Sequence, residues 1–428
     1  MQNVKGTYDY FGQEQAVRRK VQSTLREVFE CYDYTEMEST ILNELELLSS
    51  KYAGGEEILK EMYQLTDQGA RQLGLRYDLT IPFAKVIALN PGISQPFKRY
   101  EMGKVFRDGP VKRGRLREFL QCDVDVVGVA GPEAEAELMQ LAAEVFRRLD
   151  IPIVLRWNNR GFLGELLGAM GVPANLSSSV MLTLDKLDKI GREGVRKELA
   201  DKVIDLEISC RILSFVDLKE PTFGQITRTY NLEPGRGARE VQSLQSLLQR
   251  VGLQDICVFD PFLSRGLSFY TGTVYEIYDA SHAFRSSLGG GGRYDAIIGQ
   301  LVGREDMAYP TVGLSFGMES IMEMLRDRGV ETNRPHVVVI PIGEAVPEGL
   351  MAAAELRNRG IRTRLATQRR KLKKTLASAS AEGIPYAILI GEDEAAAGVL
   401  RLKNMSDGME LTLKMKEAEE FISRNLMV

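Results

Sequence analysis

The sequence predicts an α+β chain: an antiparallel sheet with flanking helices, interrupted by a helical insertion and followed by a smaller α/β domain. Three observations carry this reading. Two strand-like stretches flank a turn-rich basic segment between Phe97 and Gly128, residues 161–253 are helical in pattern, and beyond about residue 335 buried strands alternate with helices. A chain of 428 residues exceeds one ordinary core. The first domain is therefore placed at 1–325, with the insertion at about 161–253, and the second at 335–428.

Taken in order, Glu14 to Tyr32 reads as an amphipathic helix, because Val17, Val21, Leu25, Val28 and Phe29 recur at helical spacing. A short strand from Tyr63, the turn Asp67-Gln68-Gly69 and a second strand into Leu75-Arg76-Tyr77-Asp78 follow. A helix then begins near Thr80-Ile81-Pro82, where proline suits the first turn. The segment Asp108-Gly109-Pro110-Val111-Lys112-Arg113-Gly114-Arg115 makes 97–128 a long antiparallel hairpin. In the insertion, Val241, Leu244, Leu248 and Val251 keep helical spacing, and no cluster there looks catalytic. Strands resume at Asp255 and run through Tyr278, followed by the glycine run 289–292 and a helix after Gly317. In the second domain, Val337-Val338-Val339-Ile340 and Tyr386-Ala387-Ile388-Leu389-Ile390 read as buried strands, with helices through Leu356 and after Arg370. Asp327 to Pro335 is the linker.

Composition narrows the chemistry. Two histidines, His282 and His336, and four scattered cysteines leave little for a zinc site or a Ser-His or Cys-His hydrolase, so carboxylates, arginines and tyrosines are the available groups. A net charge of −4 means that nucleic-acid binding must come from local basic patches. The start Met1-Gln2-Asn3-Val4-Lys5 has no apolar signal core and no stretch is long and apolar enough for a membrane span, so the expected location is the cytoplasm.

In the second hairpin strand, Phe119, Gln121, Asp123, Asp125 and Val127 share one face, while Leu120, Cys122, Val124 and Val126 share the other. Alone, that polar face reads as the solvated side of a half-exposed sheet. The glycine run 289–292 lacks the βα context of a dinucleotide fingerprint and fits close backbone approach beside a pocket. Arg357, Arg359, Arg362, Arg364, Arg369, Arg370, Lys371, Lys373 and Lys374, with Glu355 the nearby acid, form either a phosphate-binding footprint or a solvated helix face.

Leu75-Arg76-Tyr77-Asp78-Leu79-Thr80, Phe106-Arg107, Lys112 through Phe119 and Gln121-Cys122-Asp123-Val124-Asp125 resemble, in order and spacing, the catalytic domain of histidyl-tRNA synthetases, a class II synthetase family. The resemblance continues through Arg265-Gly266-Leu267, Tyr270-Thr271-Gly272, Gly291-Gly292-Arg293-Tyr294-Asp295 and Pro310-Thr311-Val312-Gly313, and reaches Ile390-Gly391-Glu392, covering essentially the whole chain. It implies a class II catalytic domain with a C-terminal anticodon-binding domain in a homodimer. ATP would be a substrate, with Mg²⁺ on its outer phosphates, and histidine and tRNA would be the partners. It also implies roles. Asp78 and Thr80 would hold the α-ammonium of histidine and Gln121 would sit near its α-carboxylate end, while Asp125, Tyr270 and Tyr294 would read the imidazole. Arg107 and Arg265 would clamp the α-phosphate. Arg113, Arg115 and Arg117 would close over ATP and the tRNA acceptor end, and Arg369, Arg370, Lys371, Lys373 and Lys374 would bind tRNA.

The chain departs from the family pattern at four places. Gly109 stands where the family has an acid near the adenine amine, Ser320 where it has an arginine on the outer phosphates, Leu267-Ser268-Phe269-Tyr270 for Leu-Asp-Tyr-Tyr, and Thr40 for the proline of the first motif. The primary expectation is a histidine–tRNA ligase with weakened ATP binding. The alternatives are a histidine-sensing paralogue resembling an ATP phosphoribosyltransferase regulatory subunit, and a tRNA-binding regulator.

Overall fold

The structure, a computed structural model, describes residues 1–49, 59–111, 114–233, 235–265, 269–304, 309–327, 334–366 and 371–426. The chain divides into two compact units, Met1–Val330 and Glu331–Val428.

The first unit is organised by an eight-stranded sheet. Its strands lie in the order Thr35–Glu36, Phe97–Phe106, Glu118–Val127, Thr311–Gly317, Gly289–Arg293, Thr273–Asp279, Ile153–Asn159 and Cys257–Phe259. The centre is antiparallel, as the hairpin pattern predicts, but the sheet is mixed because the outermost strand at each edge pairs in parallel with its neighbour. The second parallel pair explains the helical insertion. Adjacent parallel strands cannot be joined by a tight turn and need a crossover of a dozen or more residues. The helices from Arg160–Ala169 to Arg236–Arg250 form that crossover between Ile153–Asn159 and Cys257–Phe259.

One sheet face is apolar and carries the main core. Tyr100, Cys122, Val124, Val126, Leu314 and Phe316 pack there with Val21, Leu25 and Phe29 of helix Gly12–Cys31 and with Leu138 and Val145 of helix Glu133–Arg148. Phe162, Leu166, Leu184, Leu199, Phe215 and Leu244 of the inserted helices belong to the same continuous core. Each of those helices buries apolar side chains in this core, which removes them from water at roughly 25 cal/mol per Å². Among the described residues no single helix is long and apolar enough to cross a membrane.

The opposite sheet face is polar but not solvated. Asp123 and Asp125 are buried, at 5% and 4% exposure, so the half-exposed reading of this strand is overturned. The cover is a second apolar layer containing Tyr77, Ile81, Phe83, Tyr294 and Ile297, with Phe269 and Tyr270 packed against it. Part of that layer is helix Thr80–Leu89, whose start is capped by Asp78: its Oδ1 accepts from Thr80 N at 3.0 Å and Ile81 N at 3.1 Å.

The second unit holds a five-stranded sheet in the order Thr363–Leu365, Val337–Pro341, Tyr386–Ile390, Leu400–Asn404 and Glu410–Leu413. The first three strands are parallel and the last two antiparallel. Val337, Val339, Ile388 and Leu356 lie at its core.

Candidate functional site

Cross-strand register assembles the polar face. Arg99 lies opposite Asp125, Glu101 opposite Asp123 and Gly103 opposite Gln121 on one side, while Gly313, Ser315 and Gly317 face the same three residues on the other. Strand alternation puts all of these on one surface. A run of alternating charge results. Arg76 Nη1 is 2.8 Å from Glu101 Oε1, Arg99 Nη1 is 3.7 Å from Glu101 Oε2, and Arg99 Nη2 is 2.7 Å from Asp125 Oδ2. Arg99 also stacks 4.3 Å from the centre of the Phe83 ring. At the end of the run, Tyr294 OH donates to Asp125 Oδ1.

Among the described residues Asp123 Oδ1 and Gln121 Oε1 are buried acceptors on this face with no hydrogen-bond partner, while Asp125 Oδ2, also without one, lies against Arg99 Nη2. Gln121 Nε2 donates to Ser315 Oγ at 3.2 Å, and Ser315 lies opposite Asp123 across the sheet. With its amide nitrogen spent on Ser315, Gln121 has its amide oxygen left to accept. Buried acceptors are expensive to leave unpaired, so a pair of them marks a place for a donor.

Electrostatics point the same way. Burial pushes the Asp123 carboxyl up to about 7; the Arg99 charge opposes this rise, and the Asp125 charge adds to it. Burial also raises Asp125, against the pull of Arg99 and the Tyr294 hydrogen bond. Asp78 rises for the same first reason, opposed by its helix-capping bonds and by Arg107. A pocket that holds these carboxyls out of water gains most when a cationic ligand enters.

Glycines shape the wall. Gly290 and Gly292 sit in strand Gly289–Arg293 beside Ser315 and Gly313. A Cβ at Gly290 would run into the Arg265 guanidinium, and one at Gly292 would lie 2.9 Å from the Tyr270 ring. A Cβ at Gly313 would overlap Asp125 Oδ1. Close approach of side chains to backbone is thus what these glycines permit. Arg265 Nη1 donates to Tyr275 O at 3.0 Å, with its guanidinium 5.8 Å from the centre of the Tyr270 ring. Arg107 donates from Nε to Tyr77 O at 3.1 Å and stands 4.9 Å over the Phe119 ring. Burial lowers the Arg107 pKa, with Asp78 opposing.

The structure therefore gathers Asp78, Thr80, Gln121, Asp125, Tyr270, Tyr294, Arg107 and Arg265 about one sheet face. Arg115 pairs with Glu61 and Arg117 with Asp108 at 3.3 Å, so both arms of the basic loop are held by acids. Arg113, Arg369 and Arg370 lie outside the described residues. Lys371, Lys373 and Lys374 are exposed in the second unit at the start of helix Leu372–Ala381. Arg364 pairs with Glu382 at 2.7 Å and Arg359 with Glu419 at 3.5 Å, so acids other than Glu355 neutralise part of the basic stripe. Sequence reasoning names Arg76 and Asp123 without giving them a role and passes over Arg99 and Glu101. The signal was present, since Arg99 and Glu101 alternate in the first hairpin strand as Asp123 and Asp125 do in the second.

Comparison with known proteins places this geometry. Residues 6–321 match the family model for histidyl-tRNA synthetase, and residues 336–425 match an anticodon binding domain. The chain is 45% identical over 432 residues to histidine–tRNA ligase 1 of Bacillus cereus, covering 99% of each chain. It is 46% identical over 416 residues to histidine–tRNA ligase 2 of Shouchella clausii, covering 96% of this chain and 97% of the other. The crystal structure of histidyl-tRNA synthetase from Nostoc sp. PCC 7120 superposes with a TM-score of 0.84 at 28% identity, covering 99% of both chains. A Bacillus halodurans protein described as an ATP phosphoribosyltransferase regulatory subunit/histidyl-tRNA synthetase shares the fold, with a TM-score of 0.73 at 19% identity over 91% of this chain and 97% of the other.

Proposed function

The chain belongs to the histidyl-tRNA synthetase family and is a histidine–tRNA ligase, and from that premise we propose that its buried polar sheet face is the histidine pocket and that Arg107 and Arg265 hold the reacting phosphate. The observation that carries the assignment is the Asp125 carboxylate, fixed between Arg99 and Tyr294. An imidazole needs an acceptor at one nitrogen and a partner at the other, and Asp125 with Tyr270 and Tyr294 supplies both. Asp78 and Thr80 take the α-ammonium. Gln121 and Asp123 offer unpaired oxygens, so we assign them to the ammonium too, rather than leaving Gln121 at the carboxylate end.

Activation joins a carboxylate oxygen of histidine to the α-phosphorus of ATP and expels pyrophosphate. Negative charge grows on the phosphate oxygens as the bond forms, and guanidinium groups already in place stabilise it without reorganising. Arg107 and Arg265 do this from two sides. Transfer then moves the histidyl group to the 3′ end of tRNA and releases AMP. Mg²⁺ would neutralise the outer phosphates of bound ATP.

We assign tRNA contacts to the second unit, on the support of the anticodon-domain match and the exposed Lys371, Lys373 and Lys374. A homodimer and a cytoplasmic location complete the proposal. Leu42 and Leu65, apolar and exposed on the small sheet of strands Leu42–Glu44, Gln72–Leu75 and Gln64–Thr66, and the exposed Ile41 just before it support the dimer. The histidine-sensing alternative is not favoured, because relatives aligned over nearly the whole chain are histidine–tRNA ligases.

Histidine-dependent ATP–pyrophosphate exchange tests the site. Exchange should collapse in Arg265→Ala, and in Asp125→Ala it should need far more histidine or disappear. Full exchange in both variants would overturn the assignment.

A further inference from the structure

The end of strand Ile153–Asn159 and the inserted helices together hold the loop that carries Arg265. Asn158 Nδ2 donates to Pro261 O at 3.0 Å and Leu263 O at 2.9 Å. Arg160 Nη1 donates to Ser264 O at 3.0 Å and Arg265 O at 3.3 Å. Ser264 Oγ donates to Met181 O at 2.9 Å. Asp185 Oδ1 accepts from Ser264 N at 2.9 Å and from Arg265 N at 2.8 Å. Asp185 follows directly on helix Ala174–Leu184, so this carboxylate reaches the loop from inside the insertion.

The arrangement matters because of the backbone it holds. Arg265 has a φ of +54°, in the left-handed region that a branched or long side chain rarely adopts. Such a conformation persists when its surroundings over-determine it. Two N–H groups converging on one carboxylate oxygen, with the carbonyls beside them bound by Arg160, are that determination. The Arg265 side chain then runs over Gly290 to Tyr275 O, where a Cβ at Gly290 would block it.

We propose that Asp185, a residue of the helical insertion, is a positioning residue for histidine activation that sets the backbone of Arg265 and through it the place of the phosphate-binding guanidinium. The proposal rests on the reading of Arg265 as the α-phosphate ligand. It makes the insertion part of the activation machinery, acting through two backbone N–H groups and without touching substrate.

The test is pyrophosphate exchange by the full chain, with histidine binding measured in parallel by titration calorimetry. Misplacing a catalytic group by about 1 Å can cost on the order of 100-fold in rate, so Asp185→Ala should lower kcat by roughly 10- to 100-fold while histidine affinity stays within about two-fold. Asp185→Asn keeps an acceptor oxygen at the same place and should restore most of the rate. If Asp185→Ala does not fold, Asp185→Glu takes its role: it keeps the charge but moves the carboxylate by one methylene, and it too should lose kcat at unchanged histidine affinity.

Acting through Arg265 has a further signature. In an Arg265→Ala background, Asp185→Ala should cost nothing more. Equal losses from Asp185→Ala in the wild-type and Arg265→Ala backgrounds would assign Asp185 to general stability and overturn the proposal. Normal kcat in Asp185→Ala, with exchange lost in Arg265→Ala, would overturn the positioning role and leave the Arg265 assignment standing. Normal exchange in Arg265→Ala would remove the assignment itself, and the proposal with it.

Discussion

Arg99 Nη2 lies 2.7 Å from Asp125 Oδ2, with the guanidinium wholly out of water. Removing one partner of a buried pair leaves the other charge uncompensated, typically at about 3–5 kcal/mol. Arg99→Ala should therefore lower the unfolding free energy by that order in urea titration, and it should weaken histidine binding because Asp125 loses its anchor. Asp125→Ala should abolish the rise in thermal midpoint that millimolar histidine produces in the wild type. A histidine-induced rise that survives in Asp125→Ala would refute the pocket.

Asp123 ties stability to pH. Its carboxyl stands at about 7 in the folded chain against an ordinary 3.8, so between those values the folded state holds a proton that the unfolded state has released. The contribution of this group is full below the ordinary value and is lost as pH rises toward 7. Asp123→Asn does not titrate. Relative to wild type, the variant should gain about 1 kcal/mol or more in unfolding free energy between about pH 5 and about pH 8. A constant difference across that range would show that Asp123 does not titrate there.

The two departures on the ATP side have different structural meanings. A Cβ at Gly109 would lie 2.9 Å from Glu61 Oε1, so the Glu61 carboxylate already fills the space that an acidic side chain at 109 would occupy. Gly109→Glu should then raise the Michaelis constant for ATP by setting two carboxylates together, and Glu61→Ala combined with Gly109→Glu should recover part of the loss. Glu61→Gln alone should raise that constant by roughly 10-fold, the scale of one charge-assisted contact. Improved ATP binding in Gly109→Glu alone would contradict this account. Ser320 is buried at 8% exposure in helix Met318–Asp327, so Ser320→Arg should lower the thermal midpoint through overpacking instead of restoring a phosphate contact.

Binding of tRNA should depend on Lys371, Lys373 and Lys374. Among the described residues none of the three has a carboxylate at ion-pair distance, in contrast to Arg359 and Arg364. Changing all three lysines to glutamine should weaken tRNA binding and reduce the slope of log affinity against log salt by about 2–3, because each phosphate contact releases close to one counterion. Histidine-dependent exchange, which needs no tRNA, should be unaffected. An unchanged salt slope would place the contact elsewhere.

The sequence by itself determined the two-part organisation, the hairpin between Phe97 and Gly128, the helical stretch beyond Gly161 and the family. These rest on local period and on the order of short blocks, both of which a linear chain displays. It also made Asp125 and Arg265 candidates, through resemblance. What it left open was whether the polar face of Glu118–Val127 meets water, since alternation is the same for a solvated face and a buried one. The tertiary structure decided that by laying Phe83, Tyr270 and Tyr294 over the face. Once the face is dry, Asp123 and Asp125 need partners, and the register of the hairpin puts Arg99 and Glu101 opposite them. Glu61 against Gly109 and Asp185 against Arg265 belong to the same class of fact. Each joins residues far apart along the chain, and each depends on burial and backbone direction, which no local pattern of residues records.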